Sequence, residues 1–436
     1  MSQNFDKKKI TKNNLKTPKE IIWENEEKNI SNVYFIKKFL FIFTFLILNI
    51  LRFILYPICD FKIGILYSNK IGRLLANTEY YLRKKSLTEK KKYQFHILIS
   101  GKPVNSQILK MISRKTLLIH NVLIYNFISE VKRRTFGSDL WVDLNITGWL
   151  RGNVWTNSQP QLSFSKQEEE KGKQILEKLG LTKNDKFVCI FAKDKFYSDD
   201  PENPPLPGSF WATKDFRNCN IENFIKAAEF LAEKNIYVIR IGAHKPDQIL
   251  QSANNKIIDY TGTIRKNLDD PEFADAYIPA NCEFFIGCTS GIHHFASIFN
   301  KPIASTNLIP YGECGRNLED IFIFKKCINI NTNEILSISE AINFGITGDW
   351  LSKEQILDLE SRGIFFQENS PDEILDLTRE MYERLNGLWN EKNDEKELME
   401  NFLKISNIYD SEGQKFPGRV CYNFLKKNKK FCEIFN

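Results

Sequence analysis

Histidine and methionine are scarce in this chain, at 5 and 4 of 436 residues, and its 9 cysteines form no CxxC pair and no Cys/His grouping at zinc spacing. An odd, unpatterned set of thiols argues against a disulfide framework and a structural zinc centre, and fits a reducing compartment. Charge of one sign is also lacking. Lys and Arg number 61 against 54 Asp and Glu, a net charge of +7. The basic residues cluster toward the two ends, a pattern that suits a membrane surface better than a nucleic-acid groove, so no nucleic-acid partner is expected. No unbroken apolar run reaches the roughly 20 residues of a spanning helix. No small-residue cleavage site follows the apolar N-terminal segment, which argues against a secretory signal peptide.

Apolar and aromatic residues are plentiful: 42% of the chain is hydrophobic and Phe alone numbers 34. That is enough to fill two α/β units with extensions. Residues 1–32 are polar, carry Lys7-Lys8-Lys9 and read as a flexible leader. Residues 33–59 form a hydrophobic helix. From Phe39 to Leu51 the run is uncharged, and beyond Arg52 it resumes as FILYPIC to Cys59. Arg52 can snorkel, so the segment reaches spanning length. Two arrangements stay open: a spanning anchor, or a helix that enters one leaflet and turns at Pro57. Both make the membrane a partner and leave the body of the chain on the cytoplasmic face of a cell membrane.

Residues 60–165 read as a first α/β unit. A helix is expected over Ile71–Lys85, a strand over Gln94–Gly101, a helix over QILKMISRK and a second strand over Thr116–Tyr125. His96 and His120 stand alone within these strands, where a core or strand-end place is the simpler reading. Residues 141–164, rich in Trp, Gly and Asn, read as loops facing a cleft. Residues 166–400 read as a second unit, opened by a capped helix with Ser165 as N-cap and Glu168 three residues on. Strands at Lys186–Ala192, Ile236–Gly242, Lys256–Tyr260 and Glu283–Gly287 alternate with helices, the pattern of a doubly wound α/β sheet. A Pro-rich excursion, Pro201 to Pro207, follows the first of them. After the last, the turn Cys288-Thr289-Ser290-Gly291 leads into an expected helix, Ile292–Phe299. Free N–H groups there make Thr289, Ser290 and Gly291 a candidate anion cradle. The helix opened by Ser370-Pro371 is expected to return toward the first unit, and residues 401–436 read as a helical, basic tail.

Six elements occur in order in the second unit: FAKD at Phe191–Asp194, FRNCNIENF at Phe216–Phe224, VIRIG at Val238–Gly242, IDY at Ile258–Tyr260, FFIGCTSG at Phe284–Gly291, and Pro302, Asn307 and Pro310. This pattern resembles a bacterial glycosyltransferase family of GT-B architecture, distantly similar to heptosyltransferase-like and fucosyltransferase-like GT-B enzymes. The resemblance implies two Rossmann-like doubly wound domains facing a cleft, the first on the acceptor side and the second holding a nucleotide-sugar donor. It implies transfer of a sugar from a nucleotide-diphosphate donor to a cell-surface glycan or lipid-linked acceptor. Lys193 departs from the pattern, which often has Arg there; Lys keeps the charge and loses bidentate phosphate contact.

In such chemistry, dipoles and cations must neutralise a leaving diphosphate. Thr289, Ser290 and Gly291 are candidates for the dipoles, and Arg217, Arg240 and Lys193 for the cations. Arg240 stands in an apolar strand and needs either an anion or an internal carboxylate, because an unpaired buried charge costs several kcal/mol. At least one of His293 and His294 is a donor-contact candidate, and Asn307 is a candidate for ribose or base. Inversion needs a general base, for which Asp194 stands first, ahead of Asp259 and Asp275. No DxD-like pair is placed for a divalent cation beside the diphosphate, so metal-independent transfer without a cofactor is expected. Two rivals share the fold: a sugar-nucleotide 2-epimerase, which would want several carboxylates around the sugar and no anchor, and an inactive membrane-tethered scaffold.

Overall fold

The computed structural model describes residues 32–88, 93–144, 154–194, 215–242, 250, 252–311, 317–346, 351–406 and 418–432. The polar leader, the Pro-rich stretch and residues 145–153 lie outside them. Helix α1 (Asn32–Leu55) runs through Arg52, as the sequence implied. It leads into β1 (Cys59–Ile65), which pairs in parallel with β2 (Tyr93–Ser100). A π-helical turn at Arg73–Asn77 continues as α2 (Thr78–Leu87), and α3 (Ser106–Ser113) connects β2 to β3 (Leu117–His120). These strands form a three-stranded parallel sheet in the order β1-β2-β3.

The apolar run expected as a strand to Tyr125 ends at His120. Asn121 takes an extended conformation and its side chain accepts the Ile124 N–H at 3.0 Å, starting α4 (Val122–Arg134). A strong N-cap within the run thus prevails over its β propensity.

The second sheet has seven parallel strands in the order β13-β9-β8-β7-β4-β5-β6. They are β4 (Phe187–Phe191), β5 (Tyr237–Arg240), β6 (Ile257–Asp259), β7 (Phe285–Gly287), β8 (Ile303–Leu308), β9 (Ile321–Phe324) and β13 (Arg419–Val420). Central β4, FVCIF, is buried at every position, as a strand covered on both faces requires. The helices around the sheet include α5 (Lys166–Lys178), held by the expected Ser165–Glu168 capping box, α6 (Ile225–Glu233), α7 (Pro271–Asn281) and α8 (His294–Ser297). A small antiparallel sheet of β10 (Lys326–Asn329), β11 (Glu334–Ile335) and β12 (Ile364–Gln367) follows.

Two features of the C-terminal part differ from expectation. Helix α9 (Pro371–Leu385) packs on α6 of the second unit, with Tyr382 edge-on to Phe230 at 5.7 Å, instead of returning to the first. The basic tail supplies β13 to the sheet, and Phe424 and Phe431 are buried around Phe324. Aromatic burial outweighs the Lys residues between them, which point outward.

Both α/β units share one apolar core, in which Leu74, Leu98 and Ile108 join Val188, Ile190 and Phe295. A buried ion pair reinforces the junction. Arg83 donates to Glu79 at 2.7 Å within α2, to the carbonyls of Trp155 and Ser158, and across to the Ile298 carbonyl at 2.7 Å and Asn300 Oδ1 at 2.9 Å. The described residues of the two units thus meet in apolar packing, and the middle of the stretch expected to face a cleft, residues 145–153, lies outside the described residues.

Candidate functional site

From β4 the chain proceeds outward through β5 and β6 on one flank, then returns to place β7, β8 and β9 on the other. The reversal falls between β4 and β7. In an open parallel sheet the crevice beyond the carboxyl ends of the two strands at this switch point is where ligands bind, because the flanking loops diverge there. The two turns concerned are Phe191–Asp194 and Cys288–Gly291, both within the motifs singled out in the sequence. Gly287 lets the strands come together: a Cβ there would stand 2.5 Å from the Phe191 carbonyl oxygen.

Lys193 follows β4 and is buried at 2% exposure. Its N–H donates to Cys288 Sγ at 3.2 Å, tying one turn to the other, and its Nζ lies 3.0 Å from Asp215 and 3.3 Å from Asn218 Oδ1. Arg217 grips the same Asp215 through Nε at 3.1 Å and Nη2 at 3.0 Å. A further ammonium, Lys325 at the end of β9, donates to the Asn218 carbonyl at 2.6 Å. Burial opposes ionisation of Asp215, but Arg217 and Lys193 outweigh it and hold the carboxyl at about 2. Burial also opposes a thiolate at Cys288; contact from Cys219, the Lys193 N–H and the two ammoniums draw that thiol below its ordinary value. The Asp215 shift reports a positive local potential.

Asp215, Asn218 and Lys325 were not singled out in the sequence. Lys325 directly follows the apolar strand IFIF, and Lys193 follows FVCIF after a single Ala192; that similar placement was the available signal. Asp194 is the last described residue before 195–214 and is half-buried at the mouth of the switch point.

The Thr289–Gly291 turn is buried apart from part of Gly291. The Ser290 N–H donates to His293 Nδ1 at 3.3 Å, and the buried Ser290 Oγ has no hydrogen-bond partner among the described residues. The helix expected over Ile292–Phe299 is reduced to the single turn of α8. So short a helix carries little dipole, and anion attraction here rests on the N–H groups and nearby cations. Gly291 also has a packing duty: a Cβ would meet the Gly72 nitrogen at 3.0 Å, so two glycines let the units touch. His294 is buried beneath Gly72, and its ring lies 4.0 Å from that of His293, which is the more exposed of the two.

Other candidates have structural employment. Arg240 pairs with Asp259 at 3.0 Å, in direct register across β5 and β6, so an internal carboxylate meets the need the sequence left open. Asp259 also accepts from the Leu250 and Thr261 N–H groups, and Asp275 is held by Arg265 and Tyr260. Neither carboxylate is placed at the switch point. Asn307, at a φ of 52°, exchanges reciprocal bonds with Asn369: its N–H donates at 2.6 Å and its Oδ1 accepts at 2.8 Å. Its side chain is spent on fixing that distant loop.

No protein-family model matches the chain, and no curated protein matches it. Solved structures similar to it are glycosyltransferases. One is the glycosyl transferase family 9 protein of Veillonella parvula, at 9% identity over 56% of this chain and 79% of that one, with a TM-score of 0.34. Another is the ADP-heptose lps heptosyltransferase II of E. coli, at 12% identity over 56% and 84%, with a TM-score of 0.33. A third is an iron-containing dodecameric glycosyltransferase of enterotoxigenic E. coli, at 13% identity over 57% and 58%, with a TM-score of 0.32. Likeness at this level transfers no activity.

Proposed function

We propose that the chain is a membrane-associated glycosyltransferase that moves a sugar from a nucleotide-diphosphate donor to a cell-surface glycan or lipid-linked acceptor. The observation that carries this reading is topological: the FAKD and GCTSG turns, far apart in sequence, come together at the switch point of a seven-stranded parallel sheet. Around them Lys193, Arg217 and Lys325 supply cations, and the buried Ser290 hydroxyl offers a hydrogen bond. A diphosphate that gains charge as its sugar departs is the ligand best served by that set.

In this reading Lys193, Arg217, Thr289, Ser290 and Gly291 face the diphosphate, with His293 beside them. His294, Arg240 and Asn307 serve as support behind the site. Asp194 is the general base that takes the acceptor proton, giving inversion in a single displacement without a metal. The units correspond to the acceptor and donor halves of a GT-B enzyme, lying against the cytoplasmic face of a cell membrane.

Calorimetry with uridine, adenosine, guanosine and cytidine diphosphates tests the donor site. One of them is expected to bind saturably, and Arg217→Ala to weaken it at least tenfold. Undiminished affinity in that variant would remove the diphosphate from this site. Turnover unaffected by excess chelator is expected; loss of activity restored by magnesium would refute the metal-free mechanism.

A further inference from the structure

Helix α1 is not free of the body. Phe41, Phe45, Leu48 and Leu55 pack on a buried cluster that includes Phe61, Ile63 and Val131. Arg52, on the same side, lies 3.6 Å from Asp139. The stripe from Phe41 to Leu55 extends about 21 Å along the helix at 1.5 Å per residue. A helix crossing a bilayer needs lipid on every free face for about 30 Å, so α1 could cross only by drawing the body in with it. The opposite face of α1, with Phe43, Ile47, Ile50 and Ile54, is apolar and exposed.

Helix α4 extends that face. Its first turn presents Val122, Leu123 and Ile124 to solvent in succession, with Leu123 at 79% exposure. One turn on, the Phe127 ring packs 5.2 Å from Phe41 of α1, which places Leu123 and Phe127 on a stripe beside α1. Exposed apolar side chains grouped contiguously over two helices mark an interaction surface. Its border carries Tyr56 and Tyr93, the latter in register with Cys59 at the foot of α1, both exposed. Lys38, Arg133 and Arg134 also lie at the border, the last stacked on Phe41 at 5.1 Å, against Glu130 and Asp139. Amphipathic tyrosines and a basic rim fit the headgroup layer of an anionic bilayer.

We infer that α1 and the first two turns of α4 together form a flat docking surface that lies in the plane of one leaflet of an anionic lipid bilayer, so that the chain is monotopic. This deepens the membrane part of the proposed function and rests on it. The occupant is lipid: the surface is two helices wide, and exposed tyrosines and basic side chains border it.

The full chain is tested by flotation with vesicles of phosphatidylcholine, with and without phosphatidylglycerol. Binding is expected to be stronger with the anionic lipid, at least tenfold weaker for Leu123→Glu and for Phe53→Glu, and severalfold weaker for the Arg133→Gln/Arg134→Gln pair. Leu123 and Phe53 are exposed and Glu in a first helical turn favours the helix, so the Leu123→Glu thermal midpoint should not fall. Sidedness is read with an impermeant maleimide on membrane vesicles of one orientation, above the wild-type background. Cysteines from Gln3→Cys and Lys429→Cys should react from the same side. Reaction from opposite sides would establish a span and overturn the in-plane arrangement, as would wild-type binding by Leu123→Glu. Loss of a dimer in Leu123→Glu with vesicle binding unchanged would give the surface to a second copy instead. Failure of the unmodified chain to bind any vesicle would overturn the membrane part of the proposed function as well.

Discussion

Two buried carboxylates, Glu79 and Asp215, each sit beside an arginine, yet they behave in opposite ways. Burial lifts Glu79 above its ordinary value in spite of Arg83, whereas Asp215 is held down at about 2. The difference lies in the surroundings. Arg83 spends all five of its N–H donors, on Glu79, on three carbonyls and on Asn300, and Glu79 accepts the Gln161 and Leu162 N–H groups in return. That cluster is closed and ties the two units together. Around Asp215, one carboxylate faces Arg217 and Lys193, with Lys325 close behind through Asn218. A closed cluster is architecture; a cation-rich one at the mouth of a parallel sheet is where the proposed function puts the donor's diphosphate.

The sharpest way to break this contrast is to remove Arg83. Arg83→Leu strands Glu79 and four other acceptors at the junction, and should cost about 3–5 kcal/mol of stability in denaturant unfolding. A cost below about 1 kcal/mol would mean the staple is dispensable. Next in size is the acid dependence of Asp215. Its folded pKa lies below the unfolded one, so its contribution is present above about pH 4 and is lost as pH falls toward 2. That contribution is roughly 2 kcal/mol for a shift of this size. The Asp215→Asn variant should lack this part of the acid slope, and an unchanged slope would contradict the pairing. Smaller still is Lys193→Met, which should weaken nucleoside diphosphate binding about tenfold, or ~1.4 kcal/mol. Smallest is Ser290→Ala. An orphaned buried hydroxyl costs the folded state, so its loss should leave stability level or slightly raised while diphosphate affinity falls severalfold. A clear loss of stability there would reveal a partner the geometry lacks.

Much of the fold was legible because it is local. Apolar runs announced β2, β4 and β5, and the Ser165–Glu168 box announced α5. What escaped depends on residues distant in sequence. Arg240 and Asp259 pair because β5 and β6 are neighbours in register, and neither VIRIG nor IDY says so alone. Asn307 is employed by a residue 62 positions away. The helix after Gly291 proved to be one turn, lying between a close approach to Gly72 at one end and the Arg83 bond to the Ile298 carbonyl at the other, neither of which is written in the local sequence. At the site, the FAKD and GCTSG turns were legible as motifs. Their meeting at a switch point was not, since it follows from strand order. Asp215 and Lys325 gain importance only once folding brings them to Lys193.

Hydrogen exchange of the whole chain, with and without the nucleoside diphosphate that binds, tests the central claim most directly. The expected result is added protection at residues 192–194, 215–219 and 288–291, the three segments gathered at the carboxyl ends of β4 and β7. Protection confined to other segments, or none with any of the four nucleotides at saturating concentration, would contradict it.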